Sequence, residues 1–138
     1  MIVQITRAQN WWALASLAAL LADHERRSDW LRANAGLGIA WTASKLMSRT
    51  IRRPRPSRGD CPPAREKGDR ESFPSTHTAV SFAAVVAIPP LLPRTPLMIA
   101  ATTTATGRLL LGEHYPSDVA AGAALGAAVA APFARPPT

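Results

Sequence analysis

The sequence is poor in cysteine and in acidic residues. Its single cysteine, Cys61, excludes an intrachain disulfide and a zinc site built from several cysteines. Nine aspartates and glutamates stand against 16 lysines and arginines, which gives a formal net charge of +7 at pH 7. This excess of positive charge indicates a polyanionic partner, namely nucleic acid, an anionic membrane surface or a phosphorylated substrate. Composition alone does not choose among the three.

The sequence also lacks an uninterrupted apolar run of the roughly 20 residues that cross a bilayer comfortably. Five shorter, alanine-rich runs predict helices, and they cover 11–22, 33–47, 78–92, 97–111 and 119–133. The length of 138 residues is that of one domain, so we predict a single all-α domain over 1–138. A buried soluble bundle and a membrane bundle both fit these runs.

Three features favour the membrane bundle. Nearly all the charge lies between the runs, and the last run places Gly122 and Gly126 in a small-xxx-small register suited to close helix packing. The tryptophans lie near run ends, where an aromatic belt would place them: Trp11, Trp12, Trp30 and Trp41. We therefore predict about five transmembrane helices. The first run lacks the basic start and cleavage site of a secretory signal, so we expect it to be retained.

One long polar segment, about 49–75, separates the second run from the third and is rich in arginine and proline. A continuous helix is excluded by four prolines: Pro54, Pro56, Pro62 and Pro63. We predict an active-site loop, with a basic linker or a patch for anionic lipid or nucleic acid as alternatives. Because no repeat and no aromatic-interleaved basic pattern is present, we expect no nucleic-acid partner.

Polar residues converge if the five helices alternate in direction. One face then collects the end of the second run, the start of the third, the end of the fourth and the start of the fifth. The residues gathered there are Arg52, Arg53, Arg55, Ser75, Thr76, His77, Arg108, His114 and Asp118. This convergence joins several weak motifs into one candidate site.

The chemistry of these residues suits phosphate. Ser75 is a natural N-cap, so the amides at Thr76 and His77 would face an oxyanion at the positive end of a helix. Arg108 is either an interfacial anchor or a bidentate ligand for phosphate oxygens.

The stretch GEHYPSD places His114 four residues before Asp118, a pair that by itself is more often structural than catalytic. Pro116 suits the first turn of a helix, where side chains tilt back toward the N-terminus. Asp118 can therefore reach the ring of His114, fix its tautomer and leave the other nitrogen free to attack.

Two motifs resemble those of the type 2 phosphatidic acid phosphatase superfamily, which includes membrane lipid phosphatases, soluble acid phosphatases and vanadium haloperoxidases. Residues 107–118 have the family spacing Ser-Arg, five residues, His, three residues, Asp, with Gly107 in place of serine. Residues 74–77 read Pro-Ser-Thr-His where the family has Pro-Ser-Gly-His. The resemblance, over about 45–133, implies a helical core of the haloperoxidase type, a phosphohistidine at His114 oriented by Asp118, and His77 as general acid.

The family's first motif is a lysine, six residues and Arg-Pro, and this sequence departs from it. Arg55 is our preferred match and Arg53 the second, but the lysine position measured back from Arg55 falls on Ser48. Lys45 shares a helix face with Ser48, and Arg49 is the adjacent substitute. We expect phosphate to be bound by Arg55, Arg108, Lys45, Arg53, Ser75 and Thr76.

The resemblance implies hydrolysis of a lipid phosphate monoester or diphosphate with no metal ion and no other cofactor. Phosphatidate, phosphatidylglycerophosphate, polyprenyl phosphate and a prenyl-linked sugar phosphate all remain candidates. Two rivals stay open: a pseudoenzyme that binds lipid phosphate without turnover, and a soluble basic bundle that binds nucleic acid.

The resemblance also bears on location. Membrane members typically have six passes, so a partner protomer in a homo-oligomer is one source of the missing helix. The positive-inside rule places the arginine-rich loop in the cytoplasm. The resemblance favours the outer face of a bacterial-type cytoplasmic membrane, and we predict the outer face because phosphate binding accounts for several of the loop arginines.

Overall fold

The computed structural model describes residues 11–56, 71–89 and 91–134. In these residues five α-helices are followed by a short 3-10 helix, which confirms the all-α fold class. The helices are α1 (Trp11–Ala22), α2 (Arg27–Ile51), α3 (Thr76–Ala87), α4 (Arg94–Leu110) and α5 (Pro116–Ala130), and the 3-10 helix is Ala131–Phe133. Most of the predicted loop, with Cys61, Pro62 and Pro63, lies outside the described residues.

The predicted apolar runs locate every helix but not every helix end. Helix α1 has the predicted bounds, whereas α2 extends beyond 33–47 at both ends. Its first turn is polar and includes Asp29, whose charge is favourable near the positive end of a helix. Helix α3 ends at Ala87, earlier than the predicted limit of 92, because Pro89 and Pro90 follow and proline disfavours helical conformation in the residue before it.

Within the described segments, no helix is both long enough and apolar enough to cross a membrane. Helices α1, α3, α4 and α5 contain 12, 12, 17 and 15 residues. Helix α2 has 25 residues but carries several charged side chains, Lys45 and Arg49 among them. The predicted transmembrane helices are therefore not confirmed by the structure.

Helix α3 lies at the centre of the bundle and packs against α2, α4 and α5, while α1 packs against α2. Its buried side chains are small, and they include Ala79, Ala83 and Ala84. Trp30 of α2 also belongs to this core, with 5 % of its surface exposed, and its indole N–H donates to Asp23 at 3.3 Å. The interpretation of Trp30 as part of an aromatic belt was wrong, because the side chain packs into the core near the turn between α1 and α2.

Helices α3 and α5 approach each other closely at two glycines of α5, in the register that the sequence predicted. A Cβ atom on Gly126 would lie 1.9 Å from the carbonyl oxygen of Ala79. A Cβ atom on Gly122 would lie 2.6 Å from the carbonyl oxygen of Ser75. Since these neighbours are backbone atoms, any side chain at either glycine would push the two helices apart.

We therefore predict that Gly126→Ala lowers the free energy of unfolding by at least about 2 kcal/mol, since overpacking against backbone forces the helices to move. Gly38→Ala is the matched control, because a Cβ atom there meets no atom within 4 Å. Alanine is favoured over glycine inside a helix by roughly 0.5–1 kcal/mol, so this control should be neutral or stabilising. Urea unfolding followed by circular dichroism measures both variants, and equal stability of the two would contradict the close-packing argument.

Candidate active site

Four helix ends meet at one end of the bundle, as the alternation of the helices predicted. The hydroxyl of Thr76, at the start of α3, shares a hydrogen bond of 2.8 Å with that of Ser44 on α2. The amide of Ser75 donates to the carbonyl of Asp118 at 3.0 Å, which joins the starts of α3 and α5. Arg53, just after α2, reaches Asp118 as well. The predicted site residues of these segments are therefore brought together.

The end of α4 carries Arg108 into this site through a glycine turn. Gly112 has a φ of 62°, which glycine adopts without the strain of a Cβ atom. The amide of Gly112 donates to Leu109, and that of Glu113 donates to Arg108, which together form a Schellman motif. The turn folds Glu113 back over Arg108, and the two side chains form a hydrogen-bonded ion pair.

Glu113 is a site residue that the sequence motifs did not indicate. Its carboxylate also lies 3.8 Å from the guanidinium of Arg55, so one oxygen, Oε2, faces two arginines. Both Arg108 and Glu113 are buried, with 3 % and 9 % of their surfaces exposed. The available sequence signal was Gly112 directly after a predicted helix, because a glycine in that place is typical of a Schellman motif.

His114 is held by a different group from the one predicted. Its Nδ1 atom lies 2.6 Å from the carbonyl oxygen of Ser72, whereas it is 3.9 Å from the nearer carboxylate oxygen of Asp118. A carbonyl oxygen only accepts hydrogen bonds, so Nδ1 carries the hydrogen of the neutral ring and Nε2 carries the lone pair. Asp118 therefore lies within reach of the ring, as predicted, but the hydrogen bond that fixes the tautomer is the one to the carbonyl of Ser72.

Asp118 is instead used by two other donors. One oxygen accepts a hydrogen bond from Arg53 at 2.8 Å, and the other accepts one from the amide of Tyr115 at 2.8 Å. The second bond is half of a capping box at the start of α5, where a carboxylate at the third helical position satisfies the N-cap amide. The aspartate is fully buried and bonded on both sides, so its carboxylate acts on the ring of His114 through its charge at 3.9 Å.

Arg53 and Arg55 have different partners. The Arg53 guanidinium also donates to the hydroxyl of Ser117 at 2.8 Å and lies 4.2 Å over the centre of the Tyr115 ring. Arg55, two residues later, faces Glu113. The preferred arginine therefore lies beside Arg108 and the second-ranked arginine supports Asp118.

The predicted phosphate ligands at the start of α3, Ser75 and Thr76, have hydroxyls that are bonded within the bundle. Ser75 takes the predicted N-cap position, but its hydroxyl accepts from Thr78 at 3.0 Å and makes no cap hydrogen bond. The Thr76 hydroxyl is bonded to Ser44, so both hydroxyls are used inside the bundle, and the binding of phosphate by the amides of this segment stays a prediction. The first-turn amides of a helix lack carbonyl partners within that helix, and they remain the element of this segment that suits an anion.

The predicted general acid, His77, and the predicted phosphate ligand Lys45 lie on the helices that frame the site. His77 is the second residue of α3 and is half-buried. Lys45 is half-buried on α2, and Ser48, at the position where the family has its lysine, is buried one turn later.

The pKa of His114 is lowered below the ordinary value of 6.5. Burial is the largest cause, since it disfavours the charged ring. The hydrogen bond to Ser72 and the charge of Asp118 act in the opposite direction, while Arg55 and Arg108 lower the pKa further. The ring is therefore neutral at pH 7, with an unprotonated Nε2. Among the described residues, no group of three or more His, Cys, Asp or Glu side chains forms a candidate metal site.

Comparison with known proteins gives a family. The sequence profile of the PAP2 superfamily matches residues 29–135. The chain is 36 % identical over 120 residues to decaprenylphosphoryl-5-phosphoribose phosphatase of Mycobacterium tuberculosis, which covers 87 % of this chain and 68 % of that protein. It is 38 % identical over 115 residues to the protein of the same name from Mycolicibacterium smegmatis, covering 82 % and 62 %. The chain thus spans about two thirds of these relatives.

A solved structure has a similar fold. The crystal structure of a transmembrane PAP2 type phosphatidylglycerolphosphate phosphatase from Bacillus subtilis matches with a TM-score of 0.77. The match covers 93 % of this chain and 70 % of that one, at 21 % sequence identity. At this identity the likeness establishes the fold.

The charges around His114 predict how its titration responds to substitution. We expect an apparent pKa below 6.5 in the wild type, a higher value in Arg55→Gln, and a lower value in Asp118→Asn. Removing the arginine takes away a repelling positive charge, and removing the aspartate takes away an attracting negative one. Nitrogen-15 NMR of the imidazole across pH 4–9, assigned with His114→Gln, gives the values, and a fall in Arg55→Gln would refute the assignment of these charges.

Proposed function

The chain belongs to the PAP2 superfamily and is a phosphatase, and we propose that it hydrolyses the phosphate monoester of a polyprenyl-linked sugar phosphate through a phosphohistidine at His114. The family that the sequence motifs indicated is confirmed by the profile match and by relatives named as phosphatases. The substrate class is supported by those relatives, whose name specifies a decaprenylphosphoryl phosphoribose. Among the candidates that the sequence left open, we therefore favour the prenyl-linked sugar phosphate.

The observation that carries the proposed chemistry is the state of the His114 ring. Nδ1 is held by the carbonyl of Ser72, and the lowered pKa keeps the ring neutral, so Nε2 is available as a nucleophile. Arg108 and Arg55 both face Glu113, the residue before His114, and their charges act on the ring, so they suit the non-bridging oxygens of a phosphoryl group. Fixed positive charge of this kind is usually the largest contribution to phosphoryl transfer.

The proposed reaction has two displacements. Nε2 of His114 forms a bond to phosphorus while the bond from phosphorus to the sugar oxygen breaks, and His77 donates a proton to that oxygen. Water then attacks the phosphohistidine, His77 accepts its proton, and inorganic phosphate leaves with the ring neutral again. Arginine side chains supply the positive charge in this scheme, so it uses no metal ion and no other cofactor. Asp118 contributes through Arg53 and the start of α5.

We infer action at a membrane from the surface of the bundle. Large apolar side chains are exposed on α1, α2 and α4, and the most exposed are Leu21 at 70 % and Leu110 at 66 %. Exposed apolar surface of this extent marks a binding surface, and a polyprenyl chain in a lipid bilayer is its natural partner. The outer-face location of the site and a sixth helix from a partner protomer remain predictions.

The substrate class is tested with purified protein in detergent and a panel of phosphate esters. We expect phosphate release from a polyprenylphosphoryl pentose 5-phosphate to exceed release from phosphatidate and phosphatidylglycerophosphate by at least about tenfold in kcat/KM, a difference of ~1.4 kcal/mol in transition-state binding. His114→Ala is the matched control and should release no phosphate above background. Preference for a glycerophospholipid would refute the substrate, and phosphate binding without turnover of any ester would favour the pseudoenzyme.

The role of His77 is tested by varying the leaving group. His77→Ala should lose about 10²- to 10⁴-fold in rate on an alkyl phosphate, whose leaving oxygen needs a proton. On a nitrophenyl phosphate, whose leaving oxygen is stable as an anion, the loss should be far smaller. Steady-state rates of both esters with wild type and variant measure the two losses, and equal losses would remove His77 from the role of general acid.

A further inference from the structure

Glu113 is a negative side chain in a site that is proposed to bind a negatively charged substrate. Its carboxylate is paired with Arg108, and the same oxygen lies 3.8 Å from Arg55. The residue precedes the proposed nucleophile, His114, and its amide is fixed to the carbonyl of Arg108 at 3.2 Å. Backbone and side chain together therefore hold this charge among the groups that would receive phosphate.

The ion pairs among the described residues determine how much of the arginine charge beside His114 is balanced. Arg53 and Asp118 compensate each other, and His114 is neutral at pH 7. Arg55, Arg108 and Glu113 together carry a single positive charge, whereas the two arginines alone would carry two. A phosphate dianion entering this group meets a carboxylate that already accepts a hydrogen bond from Arg108. Buried charges a few ångströms apart interact strongly because solvent and salt screen them poorly.

We propose that Glu113 sets the affinity of the site for phosphate, acting as an internal competitor for Arg108 and Arg55 that lowers the retention of inorganic phosphate after hydrolysis. This inference rests on the proposed function. The released phosphate and the substrate's phosphate share the arginines, but only the substrate carries a prenyl chain to add binding energy elsewhere. A free-energy cost at the phosphate therefore removes a larger fraction of the total binding free energy of the product than of the substrate.

The test is a change of charge at constant shape. Glu113→Gln keeps a carbonyl oxygen that can accept from Arg108 and removes the negative charge. We expect it to bind inorganic phosphate at least about tenfold more tightly, to lower KM, and to lower kcat because product leaves slowly. Glu113→Ala removes the carboxylate altogether and should shift phosphate affinity in the same direction. Glu113→Asp retains the charge, and its phosphate affinity should stay within about threefold of the wild type.

Phosphate binding is measured by titration calorimetry with inorganic phosphate alone, and product inhibition by the same ion is measured in the turnover assay. Because the calorimetry contains no lipid, it tests Glu113 even where the proposed lipid substrate is wrong. Glu25→Gln makes the same change of net charge on the exposed turn between α1 and α2 and should leave phosphate binding unchanged.

The alternative is that Glu113 merely holds the arginines in place. In that case Glu113→Gln and Glu113→Ala would bind phosphate more weakly than the wild type, and the proposal would be overturned. An equal gain in Glu25→Gln would also overturn it, since the effect would then follow net charge and not position. Absence of any change in phosphate affinity in both neutral variants would do the same.

Discussion

The contact between α3 and α5 at Gly122 and Gly126 is the constraint on which the candidate site depends. It brings the two helix axes close enough that the amide of Ser75 bonds directly to the carbonyl of Asp118, the third residue of α5. The start of α3, with His77, is thereby fixed against the segment that carries His114. Helix packing sets the site here because backbone meets backbone, and backbone positions vary much less than side-chain rotamers.

The two described ends of the arginine-rich loop pair with each other and thereby position part of the site. Pro54 and Glu71 form an isolated antiparallel bridge, and Ser72 donates its amide to Arg53 and its hydroxyl to Pro54. The carbonyl of Ser72 is then directed at His114. One short pairing of extended chain thus places two arginines and the acceptor of the histidine ring.

Sequence patterns predicted the helix order, the glycine contact and the meeting of Arg108, His114 and the loop arginines, because periodicity and helix direction determine which ends share a face. The partner of His114 was missed, since a capping amide at Tyr115 and the Arg53 guanidinium compete for Asp118, and sequence spacing gives no measure of such competition. The position of Ser72 depends on a pairing across the loop, which local sequence does not encode. The ends of α2 were missed because a polar turn can be helical when the remainder of the helix is packed.

The group that accepts the hydrogen bond of His114 is the main-chain carbonyl of Ser72, which no side-chain substitution removes. Exchanging one side chain for another at position 72 removes the hydroxyl bond to Pro54 but leaves the carbonyl in the chain. A saturation mutagenesis scan of the gene would therefore record position 72 as tolerant wherever the loop pairing persists, even though its carbonyl holds His114, the proposed nucleophile. Replacing the peptide bond after Ser72 by an ester, which weakens that carbonyl as an acceptor, would expose a dependence that no genetic substitution reaches.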